Sequence, residues 1–249
     1  MTDWPDGYSR IVLSETDSTN AEAGRLAPTL AGPTWVFAET QTAARGRRGR
    51  TWAMPPGNFA ATLVMRPPEP PEIVALRSFV AALALFDALV SLTARAAPFA
   101  LKWPNDVLMN GGKLAGILLE SLGQGRDVRH LAIGIGVNLA AAPDPGTLGP
   151  DATRPVALAA ETCLQVTATE FLSALAIAYA GWERQFTTYG FAPIREAWLA
   201  RAARLGQPIT ARTGTEQVTG TFETVDITGA LVLTTPRGRR AIPAADVYF

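Results

Sequence analysis

The chain has 249 residues, 48% of them hydrophobic and 18% charged, and its 22 basic and 22 acidic residues give a formal net charge of zero. This composition excludes a disordered chain, and the balanced charge argues against a general electrostatic grip on nucleic acid. The chain has one cysteine and one histidine, and residues 1–10 lack the basic start and apolar run of a signal peptide. We therefore expect a cytoplasmic protein with no internal disulfide and no zinc site.

The first 65 residues alternate between helix-like and strand-like patterns. Thr19 and Glu22 have the spacing of a capping box, which predicts that a helix starts here. Strands are predicted over residues 34–40 and 58–65. Between them, residues 43–50 read AARGRRGR and predict a basic loop punctuated by glycine.

Apolar residues recur at helical spacing from Ile73 to Val90, which predicts a helix with one apolar face. Arg77 and Asp87 interrupt this apolar stretch, so we expect a buried core helix and no membrane partner. A short strand is predicted over residues 99–103, where Pro104 ends it.

A β-hairpin is predicted next in the chain. Asn110-Gly111 separates two apolar runs, residues 106–109 and 113–119, and Asn-Gly favours the positive φ angles of a tight antiparallel turn. Residues 131–139 read LAIGIGVNL. This pattern predicts a strand whose glycines mark places where backbone or ligand approaches closely.

The remainder of the chain predicts helices followed by a small β-rich segment. Thr167 and Glu170 form a second capping box, and Pro193 lies near another helix start. We expect an α+β fold in which a mixed, largely antiparallel sheet is covered by helices over residues 1–204. A small C-terminal β-barrel is expected over residues 205–249.

Candidate chemistry begins in the basic loop. Residues 45–50 hold four arginines in six positions, and guanidinium groups with flexible backbone can wrap a polyphosphate. The same pattern occurs in RNA-binding tails. The loop by itself therefore leaves a nucleic-acid-binding module open.

A second cluster joins residues 102–106 (KWPND) to residues 113–116 (KLAG) across the predicted hairpin. Lys102 and Lys113 are the only lysines in the sequence. An ammonium beside a turn can neutralise a carboxylate and an α-phosphate together, and Asp106 could hold Mg²⁺ or help an amine lose its proton. Single lysines beside turns are usually surface charges, so it is the adjacency of the whole set that favours a site.

A third cluster, Ser18-Thr19-Asn20, lies at the predicted helix start. Hydroxyls and an amide can bond both the carbonyl and the N–H edges of a neutral polar ring. The same residues are equally suited to simple helix capping.

Taken in order, these segments resemble the biotin protein ligase family. The motifs that carry the resemblance are Ser18-Thr19-Asn20, Gln41, the loop from Arg45 to Arg50 with Trp52, KWPND at 102–106, KLAGIL at 113–118 and GIGVN at 134–138. They span roughly residues 10–140. The C-terminal segment resembles the family's SH3-like domain in outline.

The resemblance implies a class II synthetase-like, biotin–lipoate ligase fold. It also implies that biotin reacts with ATP, accompanied by Mg²⁺ and without a dedicated metal site, to form biotinyl-5′-AMP. The biotin then passes to a lysine of a biotin carboxyl carrier protein.

By position, the resemblance also implies roles for individual residues. The implied biotin-binding residues are Ser18, Thr19, Asn20, Gln41, Arg45, Gly46, Arg47, Lys113 and Gly116. The implied ATP-binding residues are Arg45, Arg47, Trp52, Asn105, Lys113 and Asn138. The implied catalytic residues are Lys113, Arg45 and Asp106.

Two features depart from the family pattern. Ala44 stands where the family usually has glycine before the first arginine of the loop, and a positive φ there would cost an alanine about 1–2 kcal/mol. Few residues precede the strand that leads to Ser18. We therefore expect a ligase without the helix-turn-helix domain of bifunctional members and without a DNA partner; a homodimer is compatible with the sequence.

Two alternatives stay open at this point. One is a lipoate or octanoate ligase of the same superfamily, although the Ser18–Asn20 set suits a ureido ring better than an alkyl chain. A related acyl transferase would need a cysteine nucleophile, and Cys163 lies outside the motifs. The other alternative is a nucleic-acid-binding module that uses the arginine-rich loop, which the zero net charge disfavours.

Overall fold

The computed structural model describes residues 4–123, 129–147 and 152–249. Its strands are β1 (Ser9–Thr16), β2 (Thr34–Gln41), β3 (Phe59–Met65), β4 (Phe99–Lys102), β5 (Asp106–Met109), β6 (Gly112–Leu122), β7 (His130–Val137), β8 (Pro208–Arg212), β9 (Gln217–Val225), β10 (Leu231–Thr235), β11 (Gly238–Ile242) and β12 (Asp246–Tyr248). Its helices are α1 (Thr19–Leu26), α2 (Pro71–Val74), α3 (Arg77–Thr93), α4 (Leu158–Thr162), α5 (Ala168–Tyr189) and α6 (Phe191–Leu199).

Seven strands form one mixed sheet in the order β1-β2-β3-β7-β6-β5-β4. Strands β1 and β2 run parallel, and every other neighbouring pair is antiparallel. The expected mixed, largely antiparallel sheet of an α+β fold is confirmed. Because β7 lies between β3 and β6, a strand from much earlier in the sequence meets the consecutive strands β6 and β7 at the centre of the sheet.

The two faces of this sheet carry different side chains. Along β7, every second residue from Leu131 to Val137 is a large aliphatic side chain buried in the main core. The residues between them are Ala132, Gly134 and Gly136. Successive strand residues point to opposite faces of the sheet, so the large aliphatic side chains lie on the face that packs against helices α3 and α5. The opposite face carries only small residues along β7, and we call it the shallow face. Helix α1 covers only part of the shallow face.

The predicted hairpin is confirmed. Asn110 and Gly111 have φ angles of 49° and 78°, and they join β5 to β6 in antiparallel register. The capping box at Thr167 and Glu170 is likewise present at the start of α5, with both reciprocal hydrogen bonds formed.

The capping box predicted at Thr19 is wrong, although α1 does begin at this residue. The N-cap is Ser18, which makes no side-chain cap bond. Glu22 accepts a hydrogen bond from Arg25 instead of reaching back to the helix start. The hydroxyl of Thr19 is directed towards Gln41, for reasons that belong to the site described below.

The apolar helix predicted from Ile73 to Val90 is present as the single turn α2 followed closely by α3. Together they are long and apolar enough to cross a membrane by length and composition alone. However, 72% of the most apolar window is buried inside the protein. The segment is packed as a core helix, as the sequence predicts.

The C-terminal segment forms a separate antiparallel sheet in the order β11-β10-β9-β8-β12. The pairing of the described strands leaves β11 and β12 as edges and does not close a barrel. This sheet is fixed to the larger unit by Trp103, which donates from Nε1 to the carbonyl of Gly229 at 3.0 Å. Arg195 of α6 also donates to the Val225 carbonyl and, at 3.0 Å, to Thr224 Oγ1.

Candidate functional site

A cavity of about 920 Å³ opens on the shallow face of the large sheet. It is lined by all thirteen residues to which the sequence assigned roles: Ser18, Thr19, Asn20, Gln41, Arg45, Gly46, Arg47, Trp52, Asn105, Asp106, Lys113, Gly116 and Asn138. The C-terminal sheet contributes lining residues from β8 and β12. Residues separated by more than a hundred positions therefore share one space.

One part of the cavity is a set of neutral hydrogen-bonding groups at the start of α1. Ser18, Thr19 and Asn20 are almost fully buried. Gln41, at the end of β2, accepts through Oε1 from the backbone N–H of Thr19 at 2.7 Å. Gln41 Nε2 meets only the sulfur of Met54, at 3.4 Å, which is a weak acceptor. We call the region formed by Ser18, Thr19, Asn20 and Gln41 the polar end of the cavity. These four residues offer uncharged donors and acceptors, and none of them carries a carboxylate or an ammonium group.

Trp52 lies flat on the glycines of the sheet. A methyl group placed on Gly136 would lie 2.5–2.7 Å from the indole ring, and one on Gly116 would lie 3.2 Å from it. Gly136, one of the two glycines in the 131–139 strand at which close approach was expected, thus admits a side chain of this protein. The Lys113 ammonium lies 5.7 Å from the ring centroid, so an aromatic plane and a cation adjoin in this part of the cavity.

Lys113 and Asp106 face each other across the β5–β6 hairpin. Their Nζ and Oδ1 atoms are 2.7 Å apart, with side-chain exposures of 30% and 16%. Both groups are therefore partly shielded and remain open to the cavity. Asn105, the neighbouring residue, donates to the Ile117 carbonyl at 2.7 Å, which holds the end of this loop against β6.

The arginine-rich loop is folded into a small closed turn beside the cavity. Its backbone closes through a hydrogen bond from Gly46 N to the Arg50 carbonyl at 2.7 Å. Within the turn, Arg48 adopts a left-handed φ of 56°, an unfavourable region for a residue with a Cβ. Ala44 is buried and does not have a positive φ. The alanine found where the family has glycine therefore causes no backbone strain.

Asp246 of the C-terminal sheet holds this loop. It accepts from Arg48 at 2.8 Å and from Arg50 at 2.6 Å, and Arg47 lies 3.9 Å away. Arg47 also donates to Asn105 Oδ1 at 3.1 Å. Burial lowers the pKa of Arg47, an effect that the charge of Asp246 opposes. Two arginines thus point to the C-terminal sheet, while Arg47 is drawn towards the cavity.

Lys102 is a cavity residue whose role the sequence did not assign. It is 7% exposed, donates to Thr153 Oγ1 at 2.7 Å and lies 4.9 Å from the centroid of the Phe249 ring. Burial lowers the pKa of its ammonium below the ordinary 10.5. Both lysines of the sequence therefore line one cavity.

Other contributors also escaped prediction. Thr62 is a fully buried polar residue within the apolar strand β3, and that interruption of the apolar pattern was an available signal. Glu120 and Asp246 lie on strands with no local pattern that points to the cavity. Asn138 was predicted, and its amide donates to the Val156 carbonyl at 3.1 Å.

Within the described ranges, no group of three or more His, Cys, Asp or Glu side chains could hold a metal ion. Asp106, the carboxylate nearest the hairpin, is paired with Lys113. This donor set does not build a resident metal site.

The family model for biotin/lipoate A/B protein ligases matches residues 11–138, and the model for the biotin protein ligase C-terminal domain matches residues 205–249. The biotin–[acetyl-CoA-carboxylase] ligase of Paracoccus denitrificans is 60% identical over 96% of this chain and 99% of its own length.

The chain belongs to the biotin protein ligase family.

This ligase is also 33% identical to the bifunctional ligase/repressor BirA of Bacillus subtilis, over 95% of the chain and 71% of that protein. The Aquifex aeolicus biotin protein ligase in complex with biotin and ATP superposes with a TM-score of 0.83 at 25% identity, covering 96% of this chain and 98% of that one. The ligase fold and enzyme class expected from the motifs are confirmed. Cys163, the sole cysteine, does not line the cavity of the ligase.

The packing of Trp52 on glycine predicts unequal effects of two alanine substitutions. Gly136→Ala should displace the indole ring and weaken ATP binding about tenfold, because overpacking costs ~1–3 kcal/mol. Gly116→Ala, with a looser contact, should weaken binding by a smaller factor. Titration of ATP by calorimetry measures both, and equal affinities for the two variants would contradict this packing role.

The ion pairs of Asp246 predict that Asp246→Asn loosens the arginine-rich loop. The arginines are largely exposed, so the pairs together are worth about 1 kcal/mol and their loss should speed tryptic cleavage in the loop about fivefold without ligand. Thr224→Val removes a different contact of the C-terminal sheet and serves as the matched control. Equal cleavage rates in wild type and Asp246→Asn would refute the anchoring.

Because burial lowers the pKa of Lys102, we expect the protein to bind the phosphates of ATP more weakly at alkaline pH. As pH rises, the buried ammonium loses its charge at a pH below 10.5, so kcat/KM for ATP should fall there. In Lys102→Arg the charge persists, and the fall should move to higher pH. Arg66→Lys, outside the cavity, should keep the wild-type profile; superimposable profiles for wild type and Lys102→Arg would exclude this role.

Proposed function

We propose that this cavity activates biotin with ATP and transfers the biotinyl group to a lysine of the biotin carboxyl carrier protein of acetyl-CoA carboxylase. The observation that carries the proposal is the cavity itself. It joins a neutral hydrogen-bonding end to an aromatic and cationic end, with both lysines of the sequence on its wall. A small neutral ring that bears a carboxylic acid chain fits the hydrogen-bonding end, and a nucleotide fits the aromatic and cationic end.

The ureido ring of biotin is assigned to the polar end. Gln41 keeps its amide N–H groups for a ring carbonyl, because its oxygen already accepts from Thr19 N. Ser18, Thr19 and Asn20 complete the hydrogen-bonding set, and Gly46 lets the loop approach the ring. An alkyl acid such as octanoate would leave these buried groups unpaired, which disfavours the lipoate or octanoate alternative.

The nucleotide is assigned to the other end. Trp52 offers a flat surface to the adenine, and Asn105 and Asn138 line that side. Arg45 and Arg47 extend from the loop towards the phosphates. Because Arg45 and Arg47 line the cavity, phosphate binding there is favoured over a nucleic-acid-binding module.

In the first step, a carboxylate oxygen of biotin bonds to the α-phosphorus of ATP while the bond to the pyrophosphate oxygen breaks. Lys113 is placed to neutralise both the entering carboxylate and the α-phosphate. Its partner Asp106 holds the ammonium in position at 2.7 Å. Mg²⁺ would enter with ATP and neutralise phosphate charge; no step here depends on a protein-held metal.

In the second step, the ε-amine of the carrier lysine attacks the acyl carbon of biotinyl-5′-AMP, and AMP leaves. The amine must lose a proton to become neutral and nucleophilic, and Asp106 is the carboxylate available at this part of the cavity. Arg45 and Arg47 would close over the mixed anhydride. Closure excludes water, which otherwise hydrolyses it.

The location and the further partners of the ligase are also proposals. We infer a cytoplasmic enzyme, in line with the low cysteine content. A homodimer and the absence of DNA and membrane partners stay predictions. Analytical ultracentrifugation and a gel shift with operator-like DNA would test them.

We expect the Lys113→Ala variant to form the adenylate about 10²–10³-fold more slowly than wild type, because the substitution removes a cation from the reacting phosphorus. Biotin-dependent exchange of pyrophosphate into ATP measures this step. Arg239→Ala, an exposed arginine of the C-terminal sheet, is the control for loss of one positive charge. Near-normal exchange in Lys113→Ala would remove Lys113 from the mechanism.

A further inference from the structure

Asn105 lies in the turn between β4 and β5, and two hydrogen bonds fix it to β6. Its side chain donates from Nδ2 to the Ile117 carbonyl at 2.7 Å. Its own backbone carbonyl accepts from the Ile117 N–H at 2.9 Å. Main chain and side chain are therefore bound to the same residue of the sheet, and Asn105 is a fixed point on the wall of the cavity.

The Ile117 carbonyl also decides which way the Asn105 amide faces. A carbonyl oxygen can only accept hydrogen bonds, so the NH₂ group must face Ile117 and the amide oxygen must face away from it. That oxygen accepts from Arg47 Nη1 at 3.1 Å. A guanidinium can only donate, so both partners of Asn105 require the same orientation of its amide.

Arg47 differs from its neighbours in the arginine-rich loop because it is bound by a neutral group. Arg48 and Arg50 lie 2.8 Å and 2.6 Å from a carboxylate oxygen of Asp246. Arg47 lies 3.9 Å from that carboxylate and closer, at 3.1 Å, to the Asn105 amide oxygen. An amide orients a guanidinium without cancelling its charge. Arg47 therefore keeps more of its charge for an anion in the cavity than its two neighbours do.

The residue that follows Asn105 holds another cation of the cavity. Asp106 Oδ1 lies 2.7 Å from Lys113 Nζ, and consecutive Cα atoms are about 3.8 Å apart. Arg47 and Lys113 are thus tied to adjacent residues of one turn. Burial lowers the pKa of Arg47, and the charges of Asp246 and Asp106 oppose this effect, which places Arg47 within the field of the Asp106–Lys113 pair.

We propose that Asn105 is a positioning residue that acts through Arg47. Its amide holds the guanidinium beside Lys113, so that both cations meet the phosphates of ATP. Because the amide is neutral, it adds no negative charge that would repel those phosphates, as an aspartate in its place would. The inference rests on the proposed function, which assigns Arg47 to the phosphates.

A double-mutant cycle with calorimetry of ATP tests the inference. Asn105→Ala should raise the Kd for ATP about tenfold, the scale of a lost hydrogen bond to a charged group. The same substitution made in the Arg47→Ala variant should change the Kd by less than about twofold, because the group that Asn105 positions is already gone. A tenfold effect in both backgrounds would overturn the inference, since direct nucleotide contact or damage to the hairpin gives that result.

Asn138→Ala is the matched control, because Asn138 is an amide on the same side of the cavity whose side chain donates to the Val156 carbonyl. It should raise the Kd for ATP by an equal factor with and without Arg47→Ala. An Asn138→Ala effect that also vanishes in Arg47→Ala would reject a coupling specific to Asn105.

Adenosine supplies a second measurement, because it lacks phosphates. Its Kd should stay within about twofold of wild type in Asn105→Ala, since Arg47 acts on the phosphates. Adenosine binding weakened as much as ATP binding would mean that Asn105 contacts the nucleoside directly, and the positioning role would be rejected. Asn105→Ser, a milder change of the same half-buried residue, replaces Asn105→Ala in both measurements if that variant does not fold.

Arg47→Ala alone separates failure of this inference from failure of the proposed function. If it weakens ATP binding while the effect of Asn105→Ala persists beside it, only the positioning role fails. An unchanged Kd for ATP in Arg47→Ala would reject the assignment of Arg47 to the phosphates, and the inference with it.

Discussion

The difference between the two faces of the seven-stranded sheet is the constraint on which the ligase depends. One face of β7 carries large aliphatic residues against α3 and α5, and burial of each such side chain contributes about 1.5–3 kcal/mol. The opposite face carries Gly134 and Gly136. The stabilisation from hydrophobic burial therefore comes from one side of the strand, and the other side can carry residues without large side chains. The Asn20 amide and the Trp52 ring lie directly on that backbone, so the cavity exists because those glycines have no side chains.

The cavity is completed by a second unit rather than by the large sheet alone. Asp246 reaches the arginine-rich loop across 196 residues of sequence from Arg50. The loop has a concentrated positive charge and a left-handed residue, Arg48, and both features raise the free energy of this turn. A carboxylate from the C-terminal sheet offsets part of that cost. The C-terminal sheet thus contributes to the order of the arginine-rich loop as well as to the wall of the cavity.

Local sequence signals located most elements, since each depends on neighbouring residues. Asn110-Gly111 specified the hairpin, and Thr167 with Glu170 specified the start of α5. The signal at Thr19 failed because its hydroxyl takes part in contacts with distant strands, and a local pattern cannot include them.

The order of the sequence motifs identified thirteen residues that line the cavity. It did not indicate which other residues hold them in place. Glu120 contacts a residue 100 positions away. The strand order, the anchoring by Asp246 and the burial of Lys102 arise only from tertiary structure. These are long-range relationships that composition and periodicity do not encode.

The confinement of both lysines to the cavity has a chemical consequence for the whole molecule. An acyl-adenylate reacts with amines in general, and the sequence places every lysine amine it has inside the site: one desolvated, the other held by a carboxylate. The outer surface is therefore populated by guanidinium groups, which stay protonated and are poor nucleophiles. A biotinyl-adenylate that leaves the cavity therefore meets no lysine on the enzyme's own exterior, so labelling of its own lysines is disfavoured by where those lysines lie.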